Sequence, residues 1–147
     1  MKSIVTDPDI RLGTWSELGA LALPLRMAVF VQEQQVPAEI EHDDGDLIAT
    51  HAVLERCGDG VIATGRVLPS GKIGRLAVAK PFRGQGMGQR VLLQLMAHAF
   101  GSGHSRVCLH AQAVARGFYE KFGFVASGEP FEEAGIAHIL MVIDQPS

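Results

Sequence analysis

The sequence predicts a mixed α/β fold, in which helices cover the faces of a sheet built from hairpins early and crossovers late. Three observations predict it. Two β-like runs, Leu47–Glu55 and Val61–Leu68, flank Cys57-Gly58-Asp59-Gly60, where Asp and Gly tolerate hairpin dihedrals. The second half alternates short β-like runs with segments of helical period. A length of 147 residues, 47% hydrophobic and 20% charged, suits one folded domain with a real core. The predicted order is β, helices, three β, α, β, α, β, β.

Ile10 to Gly13 reads as a short first strand. Thr14-Trp15-Ser16-Glu17 has the form of a capping box, with Thr14 as cap and Glu17 reaching back. Leu18, Leu21, Leu25, Ala28 and Val29 then recur at helical spacing. Pro24 removes a backbone donor inside that pattern, which places a kink or break near Ala20–Pro24. After Phe30 the chain turns acidic, with Glu33, Glu39, Glu41, Asp43, Asp44 and Asp46 around Pro37 and Gly45. This reads as a solvated loop with a short second helix, whose field can also draw a cationic amine. Pro69-Ser70-Gly71 turns the chain into a third β-like run, Lys72–Ala79. Helix Gln89–Phe100 carries an apolar face of Val91, Leu92, Leu95, Met96, Ala99 and Phe100, and Gly101 and Gly103 stop it. Arg106–His110 is a strand, Ala113–Phe122 a helix, Phe124–Ser127 a short strand and Ala137–Ile143 the last strand. Glu132 and Glu133 fall in the loop before it.

A net charge of −3 gives no support to nucleic-acid binding. No long apolar run is present, and the polar start Met1-Lys2-Ser3 to Asp9 is unlike a signal peptide, so no membrane partner is expected and the cytoplasm is the expected location. Cys57 and Cys108 form no CxxC unit, and no histidines have a spacing such as HExxH, so no disulfide framework and no catalytic metal are expected. His42, His98 and His104 read as surface or helix-end residues, and His51 as a hydrogen-bonded, partly buried strand residue.

The segment Arg83-Gly84-Gln85-Gly86-Met87-Gly88, between a strand and a helix, is the strongest chemical feature. A helix start presents unpaired N–H groups and partial positive charge, glycines let backbone close around a pyrophosphate, and Arg83 adds a cationic fork. A Rossmann site needs GxGxxG after the first strand and a later acid; a Walker loop needs Gly-Lys-Ser/Thr. Neither pattern is met. Taken alone, the turn is as well explained by simply starting a helix.

Placed after Gly74-Arg75-Leu76-Ala77-Val78, the turn resembles the Arg/Gln-x-x-Gly-x-Gly/Ala signature of the GCN5-related N-acetyltransferase (GNAT) family. Phe118-Tyr119-Glu120-Lys121-Phe122-Gly123-Phe124 resembles that family's second block. Residues Arg26 to Gln34 and Gly135-Ile136-Ala137-His138 are similar to its small bacterial ElaA-like branch. The resemblance implies a mostly antiparallel sheet splayed between its fourth and fifth strands, with acetyl-CoA held in the gap. It implies that Leu76, Ala77 and Val78 offer backbone groups to pantetheine, and that Arg83, Gly84, Gln85, Gly86, Met87, Gly88 and Gln89 surround the pyrophosphate. Gln112 stands where many members carry Asn and is expected near the cofactor arm. A homodimer is common among such proteins, and no apolar stripe in the sequence marks one.

Acetyl transfer to an amine needs a base, fixed donors for the developing oxyanion and a proton for the leaving thiolate. Backbone N–H groups of Arg75–Val78 can supply the donors. Tyr119, the only tyrosine, matches the position that often gives the proton, and a pKa of about 10 keeps it protonated. From its residues alone it reads slightly better as part of an aromatic cluster with Phe118 and Phe122. The resemblance places Glu33 beside the acceptor as a base candidate, where its sequence alone reads as a solvated carboxylate. His110 ends a strand beside the expected cleft, and His138 is a candidate for the acceptor wall. Cys108 reads as a packed strand residue, so direct transfer in a ternary complex is expected. The expected acceptor is a small-molecule or peptide amine. A silent acyl-CoA-binding sensor is the alternative, and a nucleotide-binding module lacks the required lysine and acid.

Overall fold

A computed structural model describes residues 7–41 and 43–145. His42 and the first six residues, on which the reading of a polar start partly rests, lie outside the described residues. Its strands are β1 (Ile10–Gly13), β2 (Thr50–Arg56), β3 (Gly60–Val67), β4 (Lys72–Val78), β5 (Arg106–Gln112), β6 (Val125–Glu133) and β7 (Ile136–Asp144). They form one sheet in the order β1-β2-β3-β4-β5-β7-β6. Every neighbouring pair is antiparallel except β4 and β5.

That parallel pair is brief, with only Lys72↔Cys108 and Ile73↔Leu109 in register. Beyond Ile73 the strands part, so Gly74–Val78 and His110–Gln112 face each other across a gap. The splay expected between the fourth and fifth strands is present. A local device accompanies it. The β3–β4 register shifts between Thr64 and Arg66, and Arg75 on β4 takes a left-handed φ of 52°. Such a bulge bends the strand and strengthens its twist.

The first helix, α1 (Trp15–Arg26), starts as the sequence predicts. The Thr14 side chain accepts from Glu17 N–H, and Thr14 N–H donates to Glu17 Oε1 at 2.8 Å. Pro24 does not break it. The missing N–H costs one intrahelical bond and α1 continues to Arg26; the irregularity comes downstream, where residues 27–33 wind as a π-helix. Gln34 N–H donates to Val29 O at 3.1 Å, and Gln35 at φ 60° ends the segment. Two short helices follow, α2 (Ala38–Glu41) and α3 (Gly45–Ile48), so Leu47 and Ile48 are helical rather than the start of a strand. The remaining helices are α4 (Met87–Gly101) and α5 (Arg116–Glu120), the latter preceded by a 3₁₀ turn.

The sheet's two faces are covered differently. On β2, Ala52 and Leu54 join Val91, Leu92 and Leu95 of α4 in the main core, while Val53 packs with Leu18 and Ala22 of α1. Full burial of each such large aliphatic is worth about 1.5–3 kcal/mol. On β5, Val107, Leu109 and Ala111 face that same α4 core. The alternating residues Cys108, His110 and Gln112 therefore take the other face, which the packing of α1 on β2, β3 and β4 leaves open.

The last hairpin is longer than predicted. β6 runs through Gly128-Glu129-Pro130 with a register shift between Ser127 and Phe131. An edge strand tolerates that proline, since no ladder bond is lost. Glu132 and Glu133 are thus strand residues and not loop, and Ala134 (φ 53°) with Gly135 (φ 77°) make the two-residue turn into β7.

Candidate active site

At one end of the gap stands the glycine-rich turn. Gly84 (φ 77°) and Gly86 (φ 82°) are left-handed, and a Cβ at either would meet no atom within 4 Å. Gly86 caps α4 without a side chain, and the first helical bond is Arg90 N–H to Gly86 O at 3.1 Å. The earlier amides of α4 have no acceptor inside the helix. At Gly88 a Cβ would lie 3.3 Å from Val78 Cγ2, so glycine there lets α4 sit close on β4. An open glycine turn ending in free amides fits a pyrophosphate of an acyl-CoA.

Arg83 lies at the mouth of this turn, and its fork is closed on Glu33. Nη1 and Nη2 donate to the two Glu33 oxygens at 2.9 and 2.8 Å, and Nε donates to Val78 O at 3.0 Å. The Arg83 hydrogen bonds hold the Glu33 carboxyl below its ordinary range. Glu33, expected as an acceptor-side base, here has its carboxylate tied to a guanidinium beside the glycine-rich turn and does not line the cavity.

A cavity of about 470 Å³ occupies the splay. Leu76 of β4, His110 and Gln112 of β5, Tyr119 of α5, and Glu133 and His138 of the last hairpin all line it. Tyr119 is half-buried, with its ring edge-on to Phe118 at 5.1 Å and to Phe124 at 5.9 Å. Burial pushes its phenol up to about 12, so the hydroxyl keeps its proton at neutral pH. It is both an aromatic-cluster residue and a cavity residue. Gln112 reaches across the mouth, with Nε2 donating to Gln34 Oε1 at 2.8 Å.

His110 Nδ1 lies 2.9 Å from Glu133 Oε2. Burial raises the Glu133 pKa, but the hydrogen bond and charge of His110 outweigh it and leave the carboxyl below its ordinary value. An ionised Glu133 fixes the proton on Nδ1 and leaves Nε2 to accept. His138 Nδ1–H donates to Ile136 O at 2.7 Å, which fixes its tautomer in the same sense. The Phe131 ring lies between these imidazoles, edge-on to His110 at 4.9 Å and stacked on His138 at 6.0 Å. Sequence reading missed Glu133 as the partner of His110. The signal it needed was the hairpin register, which pairs Gln112 with His138 and Glu133 with Ile136.

The acidic stretch is solvated only in part: Glu33, Glu39, Asp43 and Asp44 are exposed as expected, and Glu41 and Asp46 are not. Glu41 and Asp46 are 1% and 0% exposed. Buried Arg26 donates to Glu41 Oε2 at 2.7 Å and to both Asp46 oxygens at 2.8 and 3.0 Å, above the Trp15 ring. Arg66 bridges Asp43 and Asp46 at 2.7 and 2.8 Å. Arg75, the bulge residue, donates to the carbonyls of Glu41 and Ile40 and to Asp43 Oδ2 at 3.1 Å. The strained β4 bulge is thereby roped to α2, which roofs the cavity. A left-handed non-glycine residue costs on the order of 1–3 kcal/mol, and these bonds hold it. Burial raises the Asp46 pKa, yet Arg26 and Arg66 win and bring it down to about 2.

His51 is buried, with Nε2 2.9 Å from Asp46 O, and burial lowers its pKa, as its strand position suggests. Burial likewise raises the pKa of Cys108, a packed strand residue. Among the described residues no group of three or more His, Cys, Asp or Glu is arranged to hold a metal, and no helix is long and apolar enough to cross a membrane.

A sheet parted between two parallel strands, with an open glycine-rich helix start at the gap and a protonated phenol inside it, defines the class of acyltransferases. The acetyltransferase (GNAT) domain family matches residues 22–145, and the chain belongs to that family. The protein ElaA of Escherichia coli K12 is 38% identical over 138 residues, 86% of each chain. The crystal structure of E. coli ElaA superimposes with a TM-score of 0.80 at 32% identity, covering 90% of this chain and 97% of that one. An acyl-CoA N-acyltransferase from Pseudomonas aeruginosa does so with a TM-score of 0.81 at 33% identity, covering 91% and 97%.

Proposed function

We propose that this protein moves an acetyl group from acetyl-CoA to a primary amine of a small molecule or peptide, directly, within a ternary complex. One observation carries the reading: the cavity in the β4–β5 splay brings a protonated phenol and a carboxylate-oriented imidazole to one space beside the unjoined edge of β4. The amides from Gly84 to Gln89 hold the pyrophosphate, and the edge of Leu76, Ala77 and Val78 meets the pantetheine amides. Arg83 anchors the turn to Val78 and Glu33 and lends positive charge near the phosphates. The Gln112 amide faces the cofactor arm from the opposite wall.

The amine nitrogen bonds to the thioester carbonyl carbon as its proton passes to His110 Nε2, with Glu133 steadying the imidazolium through Nδ1–H. Backbone N–H groups of the bulged strand stabilise the oxyanion. The C–S bond then breaks and Tyr119 gives its proton to the departing sulfur. His138 lines the acceptor side. No acyl-enzyme is needed, because Cys108 has no base beside it among the described residues and burial keeps it a thiol. The free thiols of Cys57 and Cys108 suit a reducing, cytoplasmic setting.

The test is acetyl-CoA-dependent thiol release and acetyl-amine formation across an amine panel with purified protein. Tight CoA binding without turnover on any amine would sink the enzymatic reading and leave an acyl-CoA sensor.

A further inference from the structure

The charges around the cavity divide into two sets. Arg26, Arg66 and Arg75 answer Glu41, Asp43 and Asp46 in ion pairs of 2.7 to 3.4 Å, with Glu41 Oε1 left buried and without a hydrogen bond. Lys72 stands outside that set. It lines the cavity, is half-buried, and its side chain makes no ion pair or hydrogen bond among the described residues. It begins β4 opposite Cys108, and its charge bears on both Cys108 and Glu133. Its ammonium therefore belongs to the wall that carries His110. Lys72 lies one strand spacing, about 4.8 Å, and two residues, about 7 Å, from His110 along the open face of the sheet.

Glu133, the carboxylate that the Lys72 charge reaches, is already bonded to His110, so the Lys72 side chain is left without a direct ion pair and can answer an arriving anion. The imidazole that accepts the amine proton and this cation are separated by the span of a small bifunctional molecule. We infer that the acceptor is a small amine that also carries a carboxylate, with the amine at His110 and the carboxylate on Lys72. This rests on the acyl-transfer reading above. A polyamine or an alkylamine would leave Lys72 unanswered, and a polyamine would add a second cation beside it.

The experiment compares kcat/KM for glycine, β-alanine and 4-aminobutyrate with that for their amides and for propylamine. The carboxylates are expected to exceed their amides by about tenfold or more, the worth of one charge-assisted hydrogen bond. Lys72→Met is expected to erase that ratio, and Lys72→Glu to shift preference toward 1,3-diaminopropane. Thermal melting and CoA affinity report whether each variant is folded. Turnover with no preference for the carboxylates, or a preference that survives in Lys72→Met, overturns the inference alone. Absence of turnover on every amine overturns the acyl-transfer reading and the inference with it.

Discussion

The two ends of the gap are made in opposite ways. The end proposed to take the donor is backbone: a run of consecutive residues, Arg83 to Gly88, in which Gly84 and Gly86 border open space and the helix start leaves amides free. The end proposed to take the acceptor is side chain. His110, Tyr119, Glu133 and His138 arrive from β5, α5, β6 and β7, and the roof over them hangs on ion pairs between residues up to 34 positions apart. A site made of backbone tolerates change in most side chains and fails when a glycine is lost. A site made of paired side chains fails when one partner is removed, because the other charge stays buried.

Arg26→Met should therefore have the largest effect of all. It strands Glu41 and Asp46, and loss of about 3–5 kcal/mol is expected by denaturant unfolding. A variant as stable as wild type would show the roof to be independent of the network. Gly86→Glu comes next, since it puts a side chain and a negative charge at a left-handed position in the phosphate cradle. CoA affinity should fall by about a hundredfold or more by calorimetry; unchanged affinity in a folded variant would move the cradle elsewhere.

Tyr119→Phe should slow transfer by about ten- to a hundredfold while sparing CoA affinity, read from single-turnover rates. An unaltered chemical rate would leave Tyr119 as a packing residue only. Glu133→Gln should lower kcat by about tenfold through His110, with little change in CoA binding. Glu33→Gln should do the reverse, touching CoA affinity and leaving kcat. If both carboxylates behave alike, the separation of donor and acceptor ends is wrong.

The smallest effect is on acid stability. Asp46 has a folded pKa of about 2 against an ordinary 3.8, so its contribution is complete above pH 4 and disappears as pH falls toward 2. Acid titration of the fold should be less steep across that window in Asp46→Asn than in wild type.

This contrast also explains what was legible in the sequence. The Thr14–Glu17 cap, the Asp-Gly hairpin and the glycine turn are local, and each stands in the structure where its residues place it. The succession of strands and helices along the chain followed from alternation and turn chemistry, and the splay from the family resemblance. The burial of Glu41 and Asp46 within the acidic stretch was not foreseen because the answering arginines lie at 26, 66 and 75, far from it in the chain. The Glu33–Arg83 pair was not foreseen for the same reason, the partners being 50 residues apart. The β6 strand was cut short because Gly128-Glu129-Pro130 reads as a turn, and only its edge position lets it stay in the sheet.

The π-wound residues 27–33 carry a consequence for how this helix is indexed. With i→i+5 bonds, the segment holds an extra residue per turn, so a wheel drawn from Trp15 loses phase before it reaches Phe30. The face of α1 that packs on Val53 and the face that supplies Phe30 and Gln34 to the cavity belong to different wheels. Removing one residue there would restore ordinary winding and swing the cavity wall around while Leu18 and Ala22 kept their seats. The first helix is two modules spliced end to end: one sets the fold, and the other aims the wall.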